Sequence, residues 1–166
     1  GLEFQHASWT LPQSGYTDMQ AAYDIPAAFE ADNARFCSVE RCRFAHLGRY
    51  AVQFTNGSKY CRLVGNEMTD LGAGAVKIGE TGRPMDPDKV TSGILVAHNH
   101  IHNIGIVYPA AVGVWVGNNS DIHVAHNHIH DTYYTGISVG WTWGYNENNN
   151  TGNNIVEYNH VQYIGR

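Results

Sequence analysis

The heptapeptide VAHNHIH occurs twice in this chain, at residues 96–102 and again at residues 124–130. Three less exact copies align with it, and the central residues of the five copies are 24, 33, 28 and 32 positions apart. The aligned segments are CSVERCRFAHLG, CRLVGNEMTDLG, ILVAHNHIHNIG, IHVAHNHIHDTY and NIVEYNHVQYIG. Short β-like runs follow the first four copies. Repeats of this length, built from short strands with Gly and Asn at the bends, are typical of a parallel β-helix.

Stacking of such repeats predicts an all-β fold in which equivalent side chains form columns. The strands of each coil pair with those of the coils above and below, about 4.8 Å away. We therefore expect about five to six coils, joined by loops of unequal length. Bent backbone needs hydrogen-bond partners, which Asn supplies well. The central residues are predicted to form an internal ladder of Asn66, Asn99, Asn127 and Asn159, and Cys42 takes the place of Asn in the first copy of the repeat.

The repeat runs through the whole chain, so we expect a single domain over residues 1–166. The chain starts within a coil, at LEFQHASW, and stops within one, at HVQYIGR. Natural β-helices cap both ends, because an open stack presents unpaired backbone groups. These features predict an uncapped fragment of a longer β-helix, with end-to-end self-association through its open coils.

Composition excludes two classes of partner. The net charge is −5 and no cluster of Lys and Arg is present to neutralise phosphates, so no nucleic-acid partner is expected. No run of 18 apolar residues occurs, so no membrane span is expected. The sequence shown has no signal peptide. Three cysteines without framework spacing predict free thiols, although a bond between Cys37 and Cys61 stays open.

The histidines of the repeat are predicted to lie on the outer surface. Alternation along the strands places His100, His128 and His160 in one column, and His102 with His130 in the next. Stacked imidazoles are able to bind a metal, but no carboxylate or cysteine completes a recognisable zinc set on that face. A ladder of stacked, half-exposed rings is therefore favoured over a metal site. No cofactor is expected, apart from calcium if the protein is a lyase.

The strand after each ladder position offers the best surface for function. Alignment of AFEA, AVQF, AVKI, GVWV and GISV gives one outward residue in each coil, and further polar and aromatic residues follow along the same edge. Indole faces stack on sugar rings, and amides bind sugar hydroxyls. The alternative is that the tryptophans pack under the adjacent Asn-rich loop. The predicted substrate-binding residues are Gln53, Lys77, Trp115, Asn118, Ser138, Trp141 and Trp143.

Hydrolysis of a glycosidic bond requires two carboxyl groups. The candidate catalytic acids near this face are Glu30, Glu80 and Asp131. Glu30 and Glu80 are expected two coils apart, roughly 10 Å, so their pairing is conceivable but strained. Asp131 aligns with Asp70 in a turn, where capping of the turn is the favoured role.

Several segments resemble right-handed parallel β-helix proteins that degrade polysaccharides in bacteria. CSVERCRFAHLGRYAV, VGNEMTDLGAGAVKIG, AVGVWVG and HNHIHDTYYTGISVGWTWGY are similar to a glycoside hydrolase family with α-fucosidase and xylanase activities. The likeness runs from Phe4 to Arg166 and is most specific over 111–145. It implies right-handed coils, an extracellular or periplasmic location and an oligo- or polysaccharide partner. It also implies a groove shaped by Trp115, Trp141 and the segment from Tyr134 to Ser138, and further carboxylates beyond this chain.

Three functions remain open from the sequence. The first is hydrolysis of a polysaccharide by the parent protein, with this face as part of the groove. The second is a polysaccharide lyase, which needs a base such as Lys77 and a cation to neutralise the uronate. The third is a carbohydrate-binding or structural module without catalysis. The sugar, the linkage and the stereochemical outcome are not predicted.

Overall fold

The computed structural model describes residues 1–17, 19–142 and 149–166. These residues form short strands and one 3₁₀ helix, at Pro87–Lys89, where the sequence predicted no helix. The strands are β1 Glu3–Gln5, β2 Ala27–Asp32, β3 Ser38–Glu40, β4 Arg43–Leu47, β5 Tyr50–Thr55, β6 Arg62–Val64, β7 Glu67–Leu71, β8 Val76–Ile78, β9 Leu95–Ala97, β10 His100–Ile104, β11 Val114–Val116, β12 His123–Ala125, β13 His128–Thr132, β14 Ile137–Val139, β15 Ile155–Glu157 and β16 His160–Ile164.

Three parallel sheets run along the molecule, and each coil adds one strand to each sheet. Sheet 1 has the order β3-β6-β9-β12-β15, sheet 2 the order β1-β4-β7-β10-β13-β16, and sheet 3 the order β2-β5-β8-β11-β14. Every strand pairs in parallel with the equivalent strand of the next coil. The predicted parallel β-helix is therefore confirmed. The first strand, β1, belongs to sheet 2, where it pairs with β4.

The core lies between the three sheets and consists of stacked apolar columns. Sheet 1 contributes Val39, Leu63, Val96 and Val124 in register. Sheet 2 contributes Phe44, Met68, Ile101 and Ile129, which are fully buried. Because neighbouring coils present the same face to the interior, each column continues from coil to coil and excludes water along the axis.

The Asn ladder is present at the bend between sheets 1 and 2. The side-chain oxygen of Asn99 accepts from the backbone N–H and the side-chain amide of Asn66, at 3.0 and 2.9 Å. Asn127 does the same for Asn99, and Asn159 for Asn127. At the other end, Asn66 accepts from the N–H of Cys42. The ladder thus satisfies bend backbone groups that would otherwise be buried without partners.

The cysteines are free, as predicted. The alignment of the repeats places Cys37 and Cys61 in the inward column of Ile94 and Ile122. Cys61 is buried, but Cys37 is exposed, so this prediction is wrong for Cys37. Membrane-spanning helices do not occur in the described part of the chain, since no helix there has the length and apolar character that a bilayer requires.

Candidate functional site

The outward residues of sheet 3 form a single row along the axis. The pairing of the strands aligns Glu30 with Gln53, Gln53 with Lys77, Lys77 with Trp115, and Trp115 with Ser138. The inward neighbours of this row are valines and other apolar residues, so alternation along each short strand points the row away from the core. The row itself is the one that the sequence predicted.

The segment before β2, which includes Ala21, Tyr23 and Ile25, forms a loop that folds over this row and buries part of it. Trp115 is only 2 % exposed, and it packs edge-on against Trp141, with ring centroids 5.1 Å apart. Trp141 in turn contacts the ring of Tyr23, and Ala21 completes the cluster. The prediction of an open tryptophan platform is therefore wrong for Trp115 and Trp141. Burial of large rings under a covering loop removes more apolar surface from water than an exposed platform would.

Hydrogen bonds from Lys77 connect this loop to sheet 3. Its ammonium group donates hydrogen bonds to the backbone oxygens of Tyr23, at 2.9 Å, and of Ile25, at 2.5 Å. It also lies 5.0 Å from the ring centroid of Tyr50. Burial lowers the pKa of Lys77 to about 8, against the opposing influence of the negative charges of Glu30 and Asp24. Lys77 is thus 5 % exposed rather than an open sugar ligand.

Asn118, Ser138 and Tyr134, three other predicted sugar-binding residues, lie in different surroundings. The amide of Asn118 is buried, donates to the oxygens of Thr81 and Trp141, and holds two loops together. Ser138 accepts a long hydrogen bond from Trp141 Nε1 at 3.4 Å. Tyr134 is exposed beyond the end of sheet 2 and does not line the cleft described below. Trp143 lies outside the described residues.

A cleft of about 370 Å³ remains between the loop and the first four strands of sheet 3. It brings together two of the acids predicted from the sequence, Glu30 and Glu80. Its polar and aromatic lining includes Asp24, Glu30, Gln53, Lys77, Glu80 and Trp115. Concave sites with a few convergent polar groups are the usual form of small-molecule sites in proteins.

Three residues that line this cleft each carry a buried polar atom without a hydrogen bond of good geometry among the described residues. The atoms are Gln53 Oε1, Glu80 Oε2 and Trp115 Nε1, and the Glu80 carboxyl group also lies beside the side chain of Thr91. A buried polar atom without a partner costs on the order of 1–3 kcal/mol. Such atoms are rare in folded proteins, so their occurrence on three lining residues of one cleft favours a polar ligand.

Glu80 has the most perturbed carboxyl group of the cleft. Burial raises its pKa, and the negative charge of Asp32 acts in the same direction. The N–H of Asn56 donates to Glu80 Oε1 at 2.5 Å and acts in the opposite direction. Glu30 Oε1 instead accepts from the N–H of Ala27 at 3.2 Å. The two acids therefore occupy different environments, which is how proteins divide acid and base roles.

Asp131, the third predicted acid, is not part of this cleft. It occupies a left-handed turn position with φ of 51°, at the end of sheet 2, where Asp70 and Asn103 occupy the same position in other coils. Its carboxylate bonds to His130 Nδ1 at 2.7 Å and pairs with Arg166 at 3.1 Å. These contacts lower the pKa of Asp131. Asp131 thus shares a left-handed bend position with Asp70, as their alignment predicted, and its carboxylate contacts the side chains of His130 and Arg166.

The histidine columns lie on the outer face of sheet 2, away from the cleft. His100 pairs with His128 and His128 with His160, while His102 pairs with His130, as predicted. Rings of successive coils are stacked, with centroids 4.9 to 5.1 Å apart. The carboxylate of Glu67 stands in register with His100. Sequence reasoning missed this acid because Glu67 belongs to a copy of the repeat in which the histidines are replaced.

Parallel coils, a continuous Asn ladder and stacked columns define a β-helix protein with a polar cleft on one sheet. Residues 27–165 match the family described as the right handed beta helix region. The chain therefore belongs to the right-handed β-helix family. No curated protein matches the chain.

A solved structure of a glycoside hydrolase is similar to this chain, with a TM-score of 0.65 and 24 % sequence identity. The match covers 69 % of this chain and 21 % of the other. At this level of identity the likeness concerns the fold.

Proposed function

We propose that this chain is part of a carbohydrate-active protein and that its cleft over sheet 3 binds an oligo- or polysaccharide whose glycosidic bond is hydrolysed. The observation that carries the proposal is the meeting of Glu30 and Glu80 in one cleft with unpartnered polar atoms. Glycoside hydrolysis generally uses two carboxyl groups. The name of the similar solved structure, a glycoside hydrolase, supports the same class. An extracellular or periplasmic location remains a prediction.

Glu80 is suited to the role of general acid. Its Oε1 accepts from the N–H of Asn56, and its carboxyl group also lies beside the Thr91 side chain, so the buried Oε2 has to turn toward the cleft to deliver a proton. Burial raises the pKa of the group and so favours the protonated form. A general acid works best when its pKa lies near the working pH. Oε2 would then protonate the oxygen of the leaving sugar.

Glu30 takes the role of the second carboxyl group, the partner of the general acid Glu80. Its backbone is in register with that of Lys77 two coils away, roughly 10 Å, and Glu80 lies three residues beyond Lys77 in that coil. The backbones of the two acids are therefore more than roughly 10 Å apart, and their side chains have to lean toward each other in the cleft. Inverting glycosidases hold their two carboxyl groups about 6.5–9.5 Å apart, with a water molecule between one of them and the sugar. The wide separation is closer to that arrangement than to the roughly 5–5.5 Å of retaining enzymes.

Two further groups are suited to hold the sugar. Gln53 Oε1 is a free acceptor for a sugar hydroxyl proton, and Trp115 Nε1 is a free donor to a sugar oxygen. Both lie in the row between Glu30 and the end of the cleft. Trp115 would thus contact the ligand through its polar edge, since its faces are covered by Trp141 and the loop.

A panel of polysaccharides, incubated with the chain, tests this proposal through the release of reducing ends. Removal of a general acid typically slows the reaction 10²- to 10⁴-fold. We expect a loss of that size in Glu80→Gln, with saccharide binding retained, because the amide keeps the shape of the side chain. Glu40→Gln is the matched control, since Glu40 lies on sheet 1 and pairs with Arg62.

Binding is followed separately through tryptophan fluorescence, since Trp115 lines the cleft. Saccharide binding without turnover would instead support a non-catalytic carbohydrate-binding module. No binding across the panel would contradict the carbohydrate assignment as a whole.

A polysaccharide lyase is the second candidate, and the lowered pKa of Lys77, about 8, favours it. A lysine with a lowered pKa can act as a base. Two features favour hydrolysis over this chemistry: the Lys77 ammonium is bound to two backbone oxygens, and Glu30 and Asp24 would repel an anionic uronate. A lyase would also need a cation such as calcium. An unsaturated product that absorbs ultraviolet light would identify it.

A further inference from the structure

We propose that the outer face of sheet 2 binds one divalent transition-metal ion through histidines of β10 and β13. This face is separate from the cleft, so the inference does not depend on the proposed carbohydrate function. The sequence favoured a ladder of stacked rings without a metal. The structure adds two features that the sequence did not reveal: the convergence of ring nitrogens and a carboxylate beside them.

The central pair consists of His100 and His130. Their Nε2 atoms face each other at 2.9 Å. Together with His128 they form a group of three whose ligand atoms all lie within 4.8 Å of one another. Zinc binds imidazole nitrogen at about 2.0–2.1 Å, so tetrahedral ligand atoms are roughly 3.4 Å apart. Side-chain adjustments of a few tenths of an ångström to about one ångström bring the three nitrogens to that spacing.

A second group shares His100 and supplies a different type of ligand. Glu67, His100 and His102 also have their ligand atoms within 4.8 Å of one another. Glu67 Oε2 is paired with Arg43 at 2.9 Å, while Oε1 lies 3.7 Å from His102 Nε2. Imidazole with one carboxylate is a common set for zinc. His100 is therefore the residue on which both arrangements depend.

The surrounding hydrogen bonds orient the imidazoles. The carboxylate of Asp131 binds His130 Nδ1 at 2.7 Å, which leaves Nε2 with a lone pair directed at His100. Metal-bound histidines usually have such a carboxylate or carbonyl partner on the second nitrogen. The amide of Asn103 donates to His102 Nδ1 at 3.1 Å, which leaves the ring proton on Nε2. For His102 Nε2 to bind a metal, this amide has to turn away, and Nδ1 then donates to the Thr69 hydroxyl at 3.2 Å.

A contact of His128 also competes with metal binding. The amide of Gln162 lies 3.1 Å from His128 Nε2 and donates to it, so it has to turn away if that nitrogen becomes a ligand. Ring stacking between coils restrains the imidazoles. The ring centroids of His100 and His128 are 5.1 Å apart, and those of His102 and His130 are 5.0 Å apart. His100 is exposed, so an ion reaches the group from solvent. Imidazole ligands suit zinc, copper and nickel.

Titration with Zn²⁺ by calorimetry, and with Co²⁺ by visible absorption, tests the inference. We expect one Zn²⁺ per chain and the absorption bands of tetrahedral Co²⁺. Both signals should be lost in His100→Gln, which removes the shared ligand. His126→Asn is the matched control: His126 stacks on His98 at 4.9 Å but belongs to neither group, and Asn tolerates its left-handed φ of 56°.

A second pair of variants tests the orienting carboxylate. Asp131→Asn should weaken Zn²⁺ binding about 10- to 100-fold, the usual effect of losing such a partner. Asp70→Asn is its control, because Asp70 occupies the same turn position and binds His46, which lies outside both groups. Circular dichroism checks that each variant is folded. Absence of stoichiometric Zn²⁺ binding, or an equal loss in the control variants, would overturn the proposal.

Discussion

Asn99 illustrates how a single side chain joins neighbouring coils. Its oxygen accepts two hydrogen bonds from Asn66, and its amide donates to Leu63 O and to Asn127 Oδ1. All of these groups are shielded from water, since Asn66, Asn99 and Asn127 are buried. A buried amide in such a network contributes mainly by preventing unpaired backbone groups, because water cannot replace it.

Replacement of Asn99 by alanine tests this role. The change leaves the backbone N–H of Asn66 and one N–H of its side-chain amide without their acceptor, and each unpaired buried group costs about 1–3 kcal/mol. We therefore expect the free energy of unfolding, measured with urea, to fall by roughly 3 kcal/mol or more. Asn159→Ala is the comparison, since Asn159 is only half-buried at the end of the ladder and water can reach the groups it leaves. Equal losses in both variants would contradict the interpretation.

Among the strands and loops, the segments that repeat in the sequence are the ones whose positions could be predicted. The two VAHNHIH copies fix the register of β9 and β10 against β12 and β13, because identical residues stack on one another. The weaker copies carry enough of the same pattern to place Val39 and Phe44. The row from Glu30 to Ser138 follows from the same alignment.

The loop that covers sheet 3 was not predictable in the same way. Its residues repeat nothing, and its position depends on contacts far along the chain, such as the bond from Lys77 to Tyr23 and from Tyr50 to Ala21. The sequence therefore identified which residues share a row but not that Trp115 and Trp141 lie beneath another segment. The carboxylate of Glu67 beside His100 was missed for a related reason, since Glu67 lies 33 residues before His100, in a coil without histidines.

The bond between Lys77 and this loop predicts a specific dependence on pH. Burial lowers the pKa of Lys77 to about 8 in the folded chain, from 10.5. The charges that act on it, Glu30 and Asp24, oppose this shift only in part, and the ring of Tyr50 faces the ammonium group. Between these two pKa values the unfolded chain binds a proton that the folded chain does not, so the stability contributed at this site rises with pH.

We therefore expect the free energy of unfolding of the wild type to rise relative to that of Lys77→Gln between about pH 8 and pH 10. The relative gain should be roughly 2–3 kcal/mol, since one pKa unit corresponds to about 1.4 kcal/mol. Burial also raises the pKa of Tyr50, but that effect is common to both proteins and cancels in the difference. Urea unfolding of both proteins at several pH values measures this relative gain in the free energy of unfolding. Parallel curves for the two proteins would show that Lys77 is not buried as described.

At the scale of the whole molecule, the end formed by β15 and β16 differs from the interior coils. Val156 stacks in register on Val124, and Val161 on Ile129, so both continue the core columns. Val124 and Ile129 are buried, whereas Val156 and Val161 are exposed. The strands that carry them also have one unpaired edge. Apolar residues beside a free strand edge favour pairing with another chain.

We expect the chain of residues 1–166 to self-associate through this end, as the sequence suggested. Sedimentation velocity should show a mass that increases with protein concentration. The double variant Val156→Lys, Val161→Lys should remain monomeric, because charges on an edge strand oppose pairing. Val107→Lys is the matched control, since Val107 is equally apolar and exposed but lies in the turn after β10. A monomeric wild type at all concentrations, or equal dissociation by the control variant, would contradict association through the β15–β16 end.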